Sequence, residues 1–228
     1  MSGHREAALL VGIDTCGAVG SVALGRVGDG GLRVLGEETL VAREFSGSIL
    51  VALKRLLDAA GCTAQELDGV IVAHGPGSYT GIRVGVATAK GLADARGIPL
   101  LAVSRLAVME RAAGVGCAAL DAWRGQMFVG LRDGDGAWRE RLVTAGEFSV
   151  GEDGLRMPER VAVCEESVAQ LLETVADESR VVRMKAPGAA QALEAALDRW
   201  LAGEADDAAA LDGHYLRGEE VASRQAGQ

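Results

Sequence analysis

The chain has 228 residues, 49% of them hydrophobic, with a formal net charge of −9 and a sequence pI of about 4.9. This length accommodates one large domain or two small ones, each with a sizeable core. The negative charge repels a phosphate backbone, which disfavours nucleic-acid binding by this chain alone. The four cysteines form no Cys-x-x-Cys pair and the three histidines no His-x-x-x-His pair, so the sequence predicts no metal site.

Targeting and membrane signals are not apparent in the sequence. No apolar run reaches the length that spans a bilayer, and the N-terminus lacks the apolar core of a signal peptide. We therefore expect a cytoplasmic protein without membrane association.

The first part of the chain shows three sequential strands and then an amphipathic helix. The apolar run from Ala8 to Ile13 ends at Asp14 and predicts a strand buried on both faces. The turn sequence from Gly28 to Gly31 predicts a hairpin between the next two strands. Apolar residues at helical spacing from Ile49 to Leu57 predict the first long helix.

The central segment, His74 to Ala95, predicts the end of a strand, a glycine turn and a helix. The turn is neither of the common phosphate-binding motifs. A Walker loop has lysine after its last glycine, which Gly81 lacks, and the third glycine of a dinucleotide fingerprint would fall on Thr80. Gly75 and Gly77 remain candidates for ligand contact, with a purely structural turn as the alternative.

The helix of this segment carries a row of small residues. Gly81, Gly85, Ala89 and Ala93 recur at every fourth position and form one ridge almost without side chains. Such a ridge lets another backbone approach closely. Two alternatives stay open: the ridge packs on the sheet of its own chain, or on a helix of another chain.

The second half of the chain repeats the opening pattern. A strand from Cys117 to Leu120 ends at Asp121, as the first strand ends at Asp14, and further strands are predicted at 126–132 and 138–144. We therefore expect a duplicated half-domain. After Gly146 the pattern weakens. There the predicted elements are short strands at 160–164 and 180–184 and helices at 166–176 and 188–202.

This order of elements predicts an α/β, actin-like or Hsp70-like fold of the ribonuclease H-like (ASKHA) class, with two lobes. Each lobe would hold a mixed β-sheet flanked by helices. We expect residues 1–104 to form the N-terminal lobe, which carries partner-binding helices, and residues 105–228 the C-terminal lobe. The last residues would fray or pack back on the N-terminal lobe.

Several motifs, in order along nearly the whole chain, carry a resemblance to a known family. They are Gly12-Ile-Asp-Thr15, Gly75-Pro-Gly-Ser-Tyr-Thr-Gly-Ile-Arg-Val-Gly-Val-Ala-Thr-Ala-Lys-Gly-Leu-Ala93, Gly97-Ile-Pro99, Val103-Ser104, Leu120-Asp-Ala122 with Arg124-Gly125, and Tyr215-Leu-Arg217. With these motifs the chain resembles the TsaB (YeaZ) family of bacterial proteins, which supports threonylcarbamoyladenosine (t6A) modification of tRNA.

The resemblance implies a non-catalytic dimerisation subunit. It would pair with a TsaD-like catalytic subunit, which transfers threonylcarbamoyl to the adenosine next to the anticodon. A TsaE-like ATPase would join the complex, a homodimer could form through the helices of the N-terminal lobe, and tRNA would be contacted only indirectly. The chain alone would bind no cofactor, whereas ATP or ADP could occupy an interface with a partner.

Carried onto this sequence, the partner-binding helices are residues 48–60 and 81–95. The implied interface residues lie on these two helices: Ile49, Leu53, Gly81, Val84, Gly85, Thr88, Ala89 and Leu92. Where the family usually has a His-Ser pair at the start of the first long helix, this chain has Phe45-Ser46, so no role of that histidine transfers.

Two enzymatic functions are alternatives to this non-catalytic role. An actin-like ATPase or phosphotransferase needs a carboxylate to position metal and water, for which Asp14 and Asp121 are candidates beside Thr15. Against it, the first hairpin lacks the usual glycine-threonine pair. A peptidase would use Ser78 with His74 and Asp14, but the Gly-x-Ser-x-Gly elbow is absent around Ser78.

Overall fold

The computed structural model describes residues 8–41, 45–133, 136–151 and 156–216. The strands are β1 (Ala8–Asp14), β2 (Val19–Gly28), β3 (Gly31–Val41), β4 (Leu67–Ala73), β5 (Leu100–Val103), β6 (Cys117–Asp121), β7 (Gln126–Arg132), β8 (Trp138–Thr144), β9 (Val161–Val163) and β10 (Val181–Arg183). The α-helices are α1 (Phe45–Ala60), α2 (Tyr79–Arg96), α3 (Arg105–Ala113), α4 (Ala145–Val150), α5 (Glu166–Glu173) and α6 (Ala189–Leu201).

The chain divides into two compact units. The first comprises Met1–Arg105 and Pro187–His214, and the second comprises Leu106–Ala186 and Tyr215–Gln228. The division differs from the lobes expected from the sequence, because the segment after Pro187 returns to the first unit. There α6 packs on β1 and β2. No local pattern marks this return, since it depends on contacts between residues far apart in the chain.

The first unit contains a mixed sheet with strand order β3-β2-β1-β4-β5. The strands β1, β2 and β3 pair antiparallel, whereas β4 and β5 run parallel to β1. All residues of β1 are buried, as the continuous apolar run predicts. The predicted turn between Gly28 and Gly31 joins β2 to β3, and Gly61 after α1 has a positive φ of 65°, which suits a helix C-terminus.

Helices cover both faces of this sheet. A Cβ built on Gly85 of α2 would lie 3.8 Å from Ile13 Cγ2, whereas one built on Gly12 would lie 2.6 Å from the carbonyl oxygen of Ala189 in α6. Successive strand residues point to opposite faces, so α2 and α6 lie on opposite sides of β1. The helices α1 and α2 pack against each other.

The second unit repeats the arrangement of the first. Its strand order is β10-β9-β6-β7-β8, and β6 pairs antiparallel with β7 and parallel with β9, as β1 does with β2 and β4. The predicted duplication and fold class are confirmed. The helix α4 was not predicted, although Thr144 and Glu147 form a capping box at its start, with Thr144 N donating to Glu147 Oε2 at 2.7 Å.

Two predictions fall wholly or partly outside the described residues. The hairpin turn at 133–136 is described only at its two ends, and residues 217–228 include Arg217 and the polar C-terminal end. Within the described part of the chain, no helix is both long and apolar enough to cross a membrane.

Candidate functional site

Asp14 lies at the end of β1 in a buried, charged environment. Its Oδ1 accepts a hydrogen bond from the Cys16 backbone N–H at 2.8 Å, and its Oδ2 lies 4.0 Å from Nε of the buried Arg105. Burial raises the pKa of Asp14, which the nearby Arg105 guanidinium opposes. Burial and then the Asp14 charge raise the pKa of the Cys16 thiol well above its usual value, so this cysteine is not an activated nucleophile.

Thr15 connects the end of β1 to α2. Its side chain is fully buried, and Oγ1 donates a hydrogen bond to the Gly81 carbonyl oxygen at 2.7 Å. A Cβ on Gly81 would overlap the Thr15 carbonyl oxygen, and one on Gly85 would overlap Thr15 Oγ1. The ridge of small residues therefore packs on the chain's own sheet, and the hydroxyl that could bind a phosphate or metal is engaged internally.

This packing corrects part of the predicted partner interface. The residues buried within the first unit, and so unable to contact a partner, are Ile49, Leu53, Gly81, Gly85 and Ala89. The half-buried members are Val84, Thr88 and Leu92. For these three the interface assignment stays a prediction.

The glycine turn before α2 packs on neighbouring backbone. Gly75 and Gly77 have φ values of 121° and 156°, which favour glycine. A Cβ on Gly75 would lie 2.7 Å from the His214 carbonyl oxygen, and one on Gly77 would overlap the Cys16 carbonyl oxygen. Ser78 N also donates to that Cys16 oxygen at 2.7 Å. The turn thus places the N-terminus of α2 against the end of β1. Gly75 and Gly77 allow this close packing of backbone on backbone.

The residues of the peptidase alternative have other partners. His74 Nδ1, the atom that a catalytic triad would pair with aspartate, lies 2.8 Å from the Val103 carbonyl oxygen, and the His74 ring stacks on His214. Ser78 Oγ caps α2 by accepting the Gly81 N–H at 3.3 Å. The three side chains therefore do not have the bonding pattern of a triad.

The N-terminus of α6 is occupied by side chains of the same unit. Ser21 Oγ accepts the Ala189 N–H at 2.7 Å, and Glu37 Oε1 accepts the Ala190 N–H at 3.2 Å. Free helix N-termini bind phosphate through such N–H groups. In α6 the Ser21 hydroxyl and the Glu37 carboxylate accept these N–H groups instead of a phosphate. The sequence offered no signal for this cap, because its partners are more than 150 residues apart.

The solvent-facing side of α1 and α2 carries exposed apolar and small residues. On α1, Leu50 and Val51 are 55% and 49% exposed, although Leu50 is among the apolar residues from Ile49 to Leu57 that predict the helix. On α2, Ala87 and Gly91 are exposed at a spacing of four residues. We call this surface the α1–α2 outer face; its residues are Leu50, Val84, Ala87, Thr88, Gly91 and Leu92. Val51 instead lines a groove with Glu38 and Leu40 of β3.

A signal for this face was present in the sequence. Leu50 directly follows Ile49, so the apolar positions of α1 extend beyond one helical stripe. Elsewhere within the described ranges, no group of three or more His, Cys, Asp or Glu side chains could hold a metal ion.

Several known proteins resemble this chain in sequence or in fold. Residues 38–146 match the family model of TsaD, tRNA N6-adenosine threonylcarbamoyltransferase.

The tRNA threonylcarbamoyladenosine biosynthesis protein TsaB of Bacillus subtilis is 37% identical over 112 residues, which cover 44% of this chain and 49% of that protein. TsaB of Escherichia coli is 33% identical over 137 residues, 57% of this chain and 58% of that protein. These matches support a TsaB/YeaZ family assignment. The chain thus spans about half the length of the curated relatives it matches.

A solved structure extends the TsaB/YeaZ likeness. A solved structure of YeaZ from Pseudomonas aeruginosa is 25% identical and superposes with a TM-score of 0.72, over 92% of this chain and 100% of that one. The resemblance and the fold predicted from the sequence are therefore confirmed.

Proposed function

We propose that this TsaB/YeaZ-family chain is a non-catalytic partner subunit in t6A formation, and that it pairs with a TsaD-class catalytic subunit through the α1–α2 outer face. The names of the B. subtilis and E. coli relatives support the pathway. The observation that carries the pairing is the 55% exposure of Leu50, a large apolar side chain on a helix whose opposite positions are buried in the first unit. Exposed apolar side chains that cluster on one surface are typical of a protein contact.

The choice of a TsaD-class partner rests on shared ancestry of the two helices. The TsaD family model matches residues 38–146, which contain both α1 and α2. A TsaD-class partner therefore carries equivalents of both helices, and two such helix pairs can pack about an approximate twofold axis. Ala87 and Gly91 would permit close approach, since a Cβ on Gly91 would meet no atom within 4 Å. A second copy of this chain could pair in the same way.

The absence of catalysis is supported by how the candidate residues are used. Asp14 and Thr15 are buried and bonded to their own unit, and the N-terminus of α6 is filled by Glu37 and Ser21. We therefore expect the isolated chain to show no ATP hydrolysis. ATP turnover that Asp14→Ala abolishes would contradict the proposal.

The rest of the proposed assembly lies in the cytoplasm and includes a TsaE-class ATPase. ATP or ADP could bind at an interface with a partner. The tRNA would bind through the partners, because this chain carries a net charge of −9.

The pairing is tested with Leu50→Glu in size-exclusion chromatography with light scattering, using the TsaD-class subunit of the same organism. Losing one buried leucine contact of about 2 kcal/mol should weaken the complex about 30-fold or more. Val150→Glu is the matched control, because Val150 is an exposed aliphatic residue of the second unit, 70% exposed. Wild-type affinity in Leu50→Glu would overturn the interface.

A second pair of variants separates pairing from folding. Ala87→Arg changes the α1–α2 outer face and should prevent pairing while the circular dichroism spectrum stays native. Ala89→Arg, two residues away, puts a charge into the core of the first unit, because Ala89 is fully buried. It should therefore unfold the protein, and a soluble Ala89→Arg variant that lacks only the complex would contradict the burial argument.

A further inference from the structure

The segment after α6 lies along the edge of the sheet of the first unit. Among the strands that the structure describes, β5 stands at the end of the order β3-β2-β1-β4-β5. The Asp206 N–H donates to the Leu100 carbonyl oxygen at 2.8 Å, and Asp206 Oδ2 accepts the Ala102 N–H at 2.7 Å. Arg199 Nη2 in turn donates to Asp206 Oδ1 at 2.8 Å. We call residues 203–214 the strap, because they cover this edge, which would otherwise be open to pairing with another strand.

The strap is fastened again at its middle and at its end. Lys90 Nζ of α2 donates to the Leu211 carbonyl oxygen at 2.9 Å. The His214 N–H donates to the carbonyl oxygen of His74, directly after β4, at 2.8 Å. Lysine and arginine ordinarily keep their charge between pH 5 and 8, whereas histidine gains one as pH falls. The fastening at the end of the strap is therefore the one that responds to pH in this range.

The two histidine rings stack on each other at this end of the strap. The ring centroids of His74 and His214 are 5.3 Å apart, with 24° between the ring planes, and both residues are half-buried. His74 Nδ1 lies 2.8 Å from the Val103 carbonyl oxygen. A carbonyl oxygen can only accept, so Nδ1 carries the proton of the neutral His74 ring and Nε2 takes the second one. The ring can thus gain its charge while its bond to Val103 stays in place.

The number of protons on the pair decides whether the stack is stable. With one proton the pair holds a single charge, so the rings do not repel each other. With two protons, like charges face each other across the 5.3 Å between the ring centroids, which disfavours the doubly charged state. The stacked form therefore binds the second proton less readily than the open form, so falling pH favours the open form.

The charged and titratable groups on the surrounding segments do not cancel this repulsion. Lys90 binds the strap, and the Arg105 N–H donates to the glycine turn after β4, so both cations oppose a second proton. Asp14 pairs with Arg105 at 4.0 Å, and Asp212 is exposed, so solvent screens its charge. The buried Cys16 thiol stays protonated, because burial raises its pKa.

We propose that the His74–His214 pair is an acid-sensitive clasp. At neutral pH it holds the end of the strap at the end of β4, and protonation of both rings releases it. His214 is the last residue of the first unit, so release frees the point at which the chain leaves that unit. The beginning of the strap stays on β5 through Asp206. This device goes beyond the proposed function and does not depend on it.

Amide hydrogen exchange, measured by NMR on the full-length chain without partners, tests the clasp. Exchange rates at pH 7.5 and pH 5 are divided by the intrinsic rate at each pH, which leaves the opening equilibrium of each amide. The protection of the His214 N–H should fall about tenfold or more between the two pH values. The Asp206 N–H is the internal control, because it bonds to β5 at the other end of the strap, and its protection should stay almost constant.

Titration of the histidine rings tests the repulsion in the wild-type protein. The sequence has three histidines, His4, His74 and His214, whose ring protons can be followed by NMR from pH 8 to pH 4.5. Groups that repel each other titrate in two separate steps. We expect the stacked pair to show two steps about one pH unit or more apart. The variant His4→Phe assigns the third signal and should leave both steps unchanged.

The variant His214→Phe keeps an aromatic ring in the stack but cannot gain a charge. The backbone N–H at position 214 should then keep its protection at pH 5, and His74 should titrate in one step. His4→Phe is the matched control and should lose protection at position 214 as the wild type does.

Four outcomes would overturn the clasp. Equal loss of protection at His214 and Asp206 would show that acid loosens the whole strap, and unchanged protection at His214 would show that nothing is released. A loss that persists in His214→Phe would place the titrating group elsewhere. A single titration step shared by both rings would show that they do not repel each other, and this result requires no variant to fold.

Discussion

Gly85→Ala should destabilise the protein even though alanine is the better helix former. A Cβ at this position would overlap Thr15 Oγ1, whereas Ile13 Cγ2, at 3.8 Å, would be in ordinary van der Waals contact. Thr15 is fully buried, and its hydroxyl is held by a 2.7 Å hydrogen bond to the Gly81 carbonyl oxygen, so it has little room to turn aside. Overpacking costs about 1–3 kcal/mol, and a lost buried hydrogen bond adds about 1 kcal/mol. Replacing glycine by alanine inside a helix stabilises the folded state by about 1 kcal/mol, which offsets part of this loss.

The expected net loss for Gly85→Ala is therefore about 2 kcal/mol. Gly91→Ala is the matched control on the same helix, because a Cβ there would meet no atom within 4 Å. It should stabilise the protein by about 1 kcal/mol through helix propensity alone. In a Thr15→Ala background the obstructing oxygen is gone, so Gly85→Ala should become neutral or stabilising.

Urea unfolding, followed by far-UV circular dichroism and by the emission of the three tryptophans, measures these differences in the free energy of unfolding. The double-mutant cycle between Thr15 and Gly85 should give a coupling energy of about 2–3 kcal/mol. Additive effects in the cycle would refute the packing of the ridge on the end of β1. A Gly85→Ala variant as stable as Gly91→Ala would refute it as well.

Two further predictions concern buried polar groups of the first unit. Ser21→Ala removes the acceptor of the Ala189 N–H and should lower the free energy of unfolding by about 1–2 kcal/mol; Ser21→Thr, which keeps the hydroxyl, is the control in the same urea titration. Because the folded pKa of Asp14 is raised above 3.8, its contribution to stability is complete below that value and is lost as pH rises through the folded pKa. Asp14→Asn should therefore weaken the pH dependence of unfolding, and an unchanged slope would contradict the raised pKa.

Much of the fold could be predicted from local patterns. The strands β7 and β8 have the bounds that the sequence predicts, and α6 differs from its prediction by one residue at each end. Such elements carry strong signals, since turn residues bound the strands and leucines recur at helical spacing in α6. The short α4 was missed because a helix of six residues has too little periodicity to stand out.

The candidate site was harder to predict, as α2 shows. Its sequence has two rows of small residues at a spacing of four, one containing Gly81 and Gly85 and the other Ala87 and Gly91. Only the first row lies against β1. Spacing alone cannot decide between them. The flanking residues could have done so, because Ile82 shares the buried side of the helix, and charged or polar residues flank the other row.

The duplicated architecture explains why the two strand-end aspartates now differ in their surroundings. Asp14 and Asp121 each accept the N–H of the residue two positions later. The backbone that follows differs, because Trp123, Arg124 and Gly125 have positive φ values whereas Cys16 and Gly17 do not. In the first unit the 18-residue α2 packs on the turn that follows Asp14, because its row of small residues lets the helix contact Thr15. In the second unit the equivalent helix α5 has only 8 residues. It bonds Asp121 through Ser167 and leaves Trp123 exposed. The loop after β1 is thus covered at Thr15 by α2, whereas the loop after β6 leaves Trp123 exposed. The length of α2 and its small residues account for this difference.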